Sequence, residues 1–168
     1  MSEASPLAAR LVHVLRDRGL TLAVAESLTG GLVMASLTAV PGASAVLRGG
    51  AVVYATDTKA SQLGVDAALL DSRGPVDPLI AEAMAVGART SWQADIGLAT
   101  TGVAGPDRLD GHPVGEVYVA VADGSRQYAL PCSLGGLASR EAIRLQTVDR
   151  ALIALAAHIG IAGEAPAG

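Results

Sequence analysis

The stretch LTLAVAESLTGGLVMASL, residues 20–37, decides the fold. Its apolar start, Leu20 to Val24, predicts a strand, and Leu32 to Leu37 predicts a helix. Between them AESLTGG, Ala25 to Gly31, forms a tight polar elbow with two glycines. Strand, elbow, helix is the way α/β proteins present a reactive group, and Ser27 stands where that group would be, at the edge of a sheet. Gly30 and Gly31 let backbone N–H groups approach an anion at a helix start. The stretch also reads as an ordinary turn whose Ser27 and Thr29 cap a helix. The rest of the chain has to separate these two readings.

Before this stretch, residues 6–18 predict a helix with Leu7, Leu11, Val14 and Leu15 as its apolar stripe, stopped by Gly19. The strand itself spans about 21–25 and the following helix about 30–39, ended by Pro41–Gly42. Val46 to Tyr54 predicts a buried type of strand with an irregularity at Gly49–Gly50. A short helix from Thr56 to Leu63 carries Lys59 in its first turn, just past that strand's end. Another short helix is expected over Asp66–Asp71. Asp77–Pro78 is a cap followed by proline at the first helical position, opening a helix to Ser91.

Ala94 to Thr100 predicts a buried strand. TGVAGPDRLDGHPVG, Thr101 to Gly115, has no periodicity and reads as a long loop directly after a strand, which favours function. Glu116–Ala122 and Gln127–Cys132 form a hairpin turned at Asp123–Gly124. A last helix covers about Ser139–Ile159, and residues 160–168 are expected to be frayed. Early βα alternation with a late hairpin implies an α/β fold: a three-layer α/β/α sandwich on a mixed, mostly parallel sheet. With 168 residues and no long linker, the chain reads as one domain.

Composition narrows the function classes. The chain is 51% hydrophobic and 2% aromatic with no Phe, so the core is aliphatic and alanine-rich. A net charge of −4 argues against general nucleic-acid or anionic-membrane binding. No segment is long and apolar enough to span a membrane and no cleavable leader is visible, so a soluble cytoplasmic protein is expected. The single cysteine, Cys132, excludes an internal disulfide and reads as a small buried hydrophobe. Of 12 basic residues only Lys59 is lysine. Arginine cannot lose its proton in a protein, whereas a buried lysine can, so Lys59 is the candidate base.

Ligands collect beyond the carboxyl ends of strands in such folds. Three polar stretches fall there: Glu26–Ser27, Tyr54 to Lys59, and Thr100–Thr101–Gly102. A hydroxyl, an amine and a glycine-rich strand end are the parts of a Ser–Lys hydrolase. Ser27 would attack a carbonyl and Lys59 would take its proton. Thr101, with the amides around Gly102, would shape an oxyanion site or relay the proton. Glu26 is placed to orient Lys59 or touch substrate, or is a solvated loop carboxylate. His13 and His158 lie on terminal helices and read as solvated, while His112 sits in the long loop within possible reach of substrate. No Walker sequence or GxGxxG follows a strand, and no His, Asp or Glu group has metal-ligand spacing, so no metal or cofactor is expected.

AESLTGG, GGAVVYATDTK and TGVAGPDRLDGHPVGEVYVAVA occur in the order and spacing of one known family. The chain resembles, over about residues 6–158, the CinA C-terminal-domain family, whose members include nicotinamide-nucleotide amidases. The resemblance implies hydrolysis of the carboxamide of nicotinamide mononucleotide to nicotinate mononucleotide and ammonia. It implies Ser27 as nucleophile, Lys59 as the motif lysine and Thr101 as the motif threonine, with no metal and a homo-oligomeric assembly. Such a nucleotide would use the amides of Gly30 and Gly31 or of Gly105 for its phosphate, with Glu26, Thr29, Tyr54, Gly102 and Arg140 also binding substrate. The chain departs from the family pattern at Leu28, where many relatives have Cys, and at GPVD, residues 74–77. Before the last helix the usual F-x-G-x-R keeps only Arg140. Two rival readings stay open: a non-catalytic binding or interaction module of the competence and DNA-damage type, and an amidase for another small amide.

Overall fold

Residues 5–137 and 139–161 are described by the structure, a computed structural model. Helix α1 (Pro6–Asp17) leads into strand β1 (Leu22–Glu26), then α2 (Leu32–Thr38) and β2 (Leu47–Val52). Three helices follow: α3 (Thr56–Leu63), α4 (Ala67–Arg73) and α5 (Pro78–Ser91). Strands β3 (Ile96–Gly102), β4 (Glu116–Ala122) and β5 (Gln127–Ser133) precede the closing helix α6 (Arg140–His158).

The five strands lie in the order β2-β1-β3-β4-β5. β1 pairs parallel with β2 and with β3, while β3–β4 and β4–β5 are antiparallel. The sheet is mixed as expected, with parallel and antiparallel pairings equal in number. The Gly49–Gly50 irregularity is present as a register shift opposite Leu22/Ala23. β2 is an edge strand and half exposed, which corrects the buried strand expected there. Its apolar residues show only that it is a strand. Its place at the edge follows from strand order.

Side-chain alternation along the central strands builds two different faces. Leu22, Val24, Leu98, Val119 and Val121 meet α1, α2 and α6, forming an aliphatic core with Leu11, Leu15, Leu37, Leu152 and Leu155. Each fully buried Leu of this kind contributes about 1.5–3 kcal/mol. The opposite face is almost all alanine: Ala23, Ala25, Ala99, Ala120 and Ala122 pack against α3, α4 and α5. Small side chains bring α5 down onto the sheet. At Gly97 a Cβ would collide with the Ala85 carbonyl, so the strand can carry no side chain there. The sheet is thus sandwiched in three layers.

Capping follows the residue types. Asp66 accepts the Ala68 amide, Asp77 the Leu79 amide and Ser139 the Ala142 amide. At the other end of α6 the Ile161 amide bonds back to Ala156 O at 2.9 Å, and Ile161 packs against the core. The fraying expected from residue 160 is therefore not seen at Gly160 and Ile161, and residues 162–168 lie outside the described residues. No helix among the described residues is long and apolar enough to cross a membrane.

Candidate active site

Ser27 stands one residue past β1, and its position is fixed by both neighbouring strands. Its own amide donates to Thr100 O at 3.0 Å, while the Val53 amide donates to Glu26 O at 2.8 Å. Lys59, on the first turns of α3, turns back beneath the end of β2. Its Nζ lies 3.3 Å from Ser27 Oγ and donates to Val53 O at 2.7 Å. At 0% exposure it is among the largest fully buried side chains described. Burial pushes its pKa down from 10.5 to about 8, because an ammonium loses its hydration there. At pH 7 roughly a tenth of such a group is neutral, against less than a thousandth for an ordinary lysine. A neutral Nζ that donates to Val53 O has a lone pair left to accept the Ser27 proton. Two of the three strand ends are therefore joined by a contact between an amine and a hydroxyl.

Ser27 and Lys59 open onto a pocket of about 350 Å³. Its walls include Tyr54, Thr101, Gly102, Gly105 and Arg140, all expected at the site, together with Thr56, Asp107 and Arg108, which sequence reasoning missed. Arg140 donates to Gly105 O and, at 2.7 Å, to Tyr54 Oη, tying the long loop, α6 and the end of β2 together across the pocket mouth. Its guanidinium thus sits at the rim despite the missing F-x-G. Arg108, whose Nη2 bonds to Gly111 O at 2.9 Å, is a second cation on the wall.

Several expected roles are corrected. Glu26 neither orients Lys59 nor faces the pocket nor is solvated. It is 1% exposed, and its carboxylate accepts the amides of Gly31 (3.0 Å), Val33 (3.1 Å) and Met34 (2.9 Å). It is the anion at the positive start of α2. Those bonds use up the Gly31 amide, and the Gly30 amide donates to Ser27 O at 3.1 Å, so neither glycine is available to a phosphate. Thr29 is fully buried with its hydroxyl 2.8 Å from that of Thr100. Thr101 lines the pocket, but its hydroxyl donates to Pro75 O at 2.6 Å, so it is a wall and not an oxyanion donor. β3 runs on through Thr101 and Gly102, shortening the expected loop at its start.

The histidines also differ from expectation. His112 turns to Glu116, 3.1 Å away, which also accepts the Tyr118 hydroxyl at 2.9 Å; none of the three lines the pocket. Burial, helped by that bond, pushes the Tyr118 phenol up to about 12. His158 is 7% exposed, with Nε2 2.9 Å from Asp123 Oδ2, and desolvation lowers its pKa. His13 is exposed as expected. Cys132 is half-buried on the edge strand β5, and desolvation raises its thiol pKa.

Arg144 was not anticipated. One turn after Arg140 on α6, it donates to Leu28 O at 3.0 Å and Thr29 O at 3.1 Å. In sequence it resembles any exposed helical arginine, and only its i, i+4 spacing from Arg140 marks it.

A family model described as the CinA C-terminal domain matches residues 4–159. A protein of Geobacillus sp. (strain WCH70) named for competence-damage induction is 46% identical over 141 residues, covering 82% of this chain and 33% of that protein. A CinA-like protein of Frankia casuarinae is 54% identical over 112 residues, 67% of this chain and 26% of its own length. The chain thus spans about a third of the curated relatives it matches. The crystal structure of a competence/damage inducible protein from Agrobacterium tumefaciens superposes with a TM-score of 0.87 at 36% identity, covering 94% of this chain and 96% of that one. The competence damage-inducible protein A of Klebsiella pneumoniae gives 0.89 at 29% identity, covering 95% and 98%.

Proposed function

The chain belongs to the CinA C-terminal domain family, and from the contact between Ser27 and Lys59 we propose that it is a metal-independent amidohydrolase. The supporting observation is a fully buried amine 3.3 Å from a serine hydroxyl at the floor of a pocket. Neutral Lys59 takes the Ser27 proton as Oγ attacks the carboxamide carbon. The tetrahedral adduct collapses, and the amide nitrogen leaves as ammonia with the proton that Lys59 returns. Water then attacks the Ser27 ester, losing its proton to Lys59, and the carboxylic acid product departs with Ser27 restored.

The motif resemblance makes nicotinamide mononucleotide the substrate of choice. Its carboxamide suits the dyad, and its phosphate suits a rim carrying Arg140 and Arg108. The second reading, a module that binds a protein partner without catalysis, is favoured by the competence and damage terms in its relatives' names.

The test is ammonia release from nicotinamide mononucleotide as a function of pH. Because the base must be neutral, kcat/KM is expected to rise about tenfold per pH unit below the Lys59 pKa and to level off above about 8. Wild-type protein that releases no ammonia at pH 8.5 would favour the binding module.

A further inference from the structure

Three successive carbonyls in the turn after β1 are each held by a donor. Ser27 O accepts the Gly30 amide at 3.1 Å, Leu28 O accepts Arg144 Nε at 3.0 Å, and Thr29 O accepts Arg144 Nη2 at 3.1 Å. A trans peptide aims its N–H away from its C=O. Holding Ser27 O therefore aims the Leu28 amide the other way, and Arg144 fixes the next peptide so that Leu28 cannot rotate between them. Leu28 lines the pocket beside Ser27, and among the described residues its amide meets no backbone acceptor. Its side chain is locked as well, 3% exposed in a cluster with Val117 and Ile143 of α6. The Thr101 hydroxyl, expected from sequence to shape an oxyanion site with the amides around Gly102 or to relay the proton, is committed to Pro75 O.

We infer that the Leu28 amide is the oxyanion donor and that Arg144 is the residue that positions it. As the Oγ–C bond forms, the carbonyl π pair moves onto oxygen, and the Leu28 N–H donates a hydrogen bond to that charge without transferring its proton. This rests on the amidohydrolase reading above. Arg144 acts 115 or more residues along the chain from the turn it holds, through a planar fork that grips two carbonyls at once. A lysine supplies the charge without the fork.

The experiment compares wild type, Arg144→Ala and Arg144→Lys by two readouts. One is kcat and KM for ammonia release from nicotinamide mononucleotide. The other is the rate at which Ser27 Oγ displaces fluoride from a fluorophosphonate, followed by intact mass, which needs no particular substrate. Removing an oxyanion donor outright costs about 10²–10³ in rate, so misplacing one is expected to cost about 10–100-fold in kcat and in labelling, with KM within about threefold. Arg144→Lys is expected to stay near the alanine level, and millimolar guanidinium to restore part of the Arg144→Ala rate. If Arg144→Ala does not fold, Arg144→Lys alone decides, provided that its Tm stays close to wild type. Labelling and kcat within twofold of wild type, or a change confined to KM, would overturn the inference, as would a wild type that is never labelled. Labelling that slows in the variants while no ammonia appears would sink the substrate and leave the positioning role standing.

Discussion

Replacing Lys59 with Met is expected to lower ammonia release by about 10³-fold without weakening the fold at pH 7. The two halves of that expectation have one cause. The amine is buried without an anion among its hydrogen-bond partners, and its pKa falls from 10.5 to about 8. A drop of that size means that burying the charged form costs the native state about 3 kcal/mol. The sign follows from proton counting. Between pH 8 and 10.5 the unfolded chain holds the proton and the native protein has released it, so stability rises with pH across that window. Below about pH 8 the cost is present in full. Met removes it and fills most of the same volume; the Ser27 hydroxyl, open to the pocket, can turn to water, while the Val53 carbonyl is left without its donor, a loss of about 1–3 kcal/mol. The urea midpoint of Lys59→Met should therefore match or exceed wild type at pH 7 and fall behind as the pH nears 10. A variant that loses stability and activity together at pH 7 would make Lys59 a packing residue.

Glu26→Ala is expected to do the opposite: a large loss of stability, with activity lost as a consequence. The Glu26 carboxylate accepts three amides at the start of α2, and Gly31 at that helix's N-cap makes no side-chain cap of its own. Hydrogen bonds to a charged group contribute about 1.5–3 kcal/mol each, and orphaned buried amides carry their desolvation cost. A helix of seven residues has little else to hold its first turn. The expected loss is about 3–5 kcal/mol for Ala and about half that for Gln, which keeps one acceptor oxygen. Urea denaturation measures both. A loss below about 1 kcal/mol for Glu26→Ala would mean that the carboxylate does not anchor the turn.

Much of the fold was legible because its signals are local. The apolar run Leu20 to Val24, the Asp77–Pro78 helix start, and the hairpin turn at Asp123–Gly124 all state their element within a few residues. The meeting of Ser27 with Lys59 was legible for a less local reason: both follow the carboxyl ends of parallel strands, and topology brings such ends together. What the sequence hid were the destinations of polar groups. Whether Gly30 and Gly31 offer free amides depends on where the Glu26 side chain goes, and that carboxylate curls back onto its own turn. Thr101 faces Pro75 because β3 continues two residues beyond the expected strand end. Arg144 reaches a turn more than a hundred residues away, a contact that only the packing of α6 on the sheet creates. His158 is buried because the β4–β5 hairpin folds over it, which its place near the end of a terminal helix does not reveal.

The central claim, that Ser27 is a nucleophile served by Lys59, is tested most directly by ammonia release from nicotinamide mononucleotide with Ser27→Ala against wild type at pH 8.5. There most of the Lys59 amine is neutral. The account predicts turnover by wild type and a loss of about 10³-fold or more in the variant, with the fold intact. Turnover by Ser27→Ala within about tenfold of wild type would contradict it.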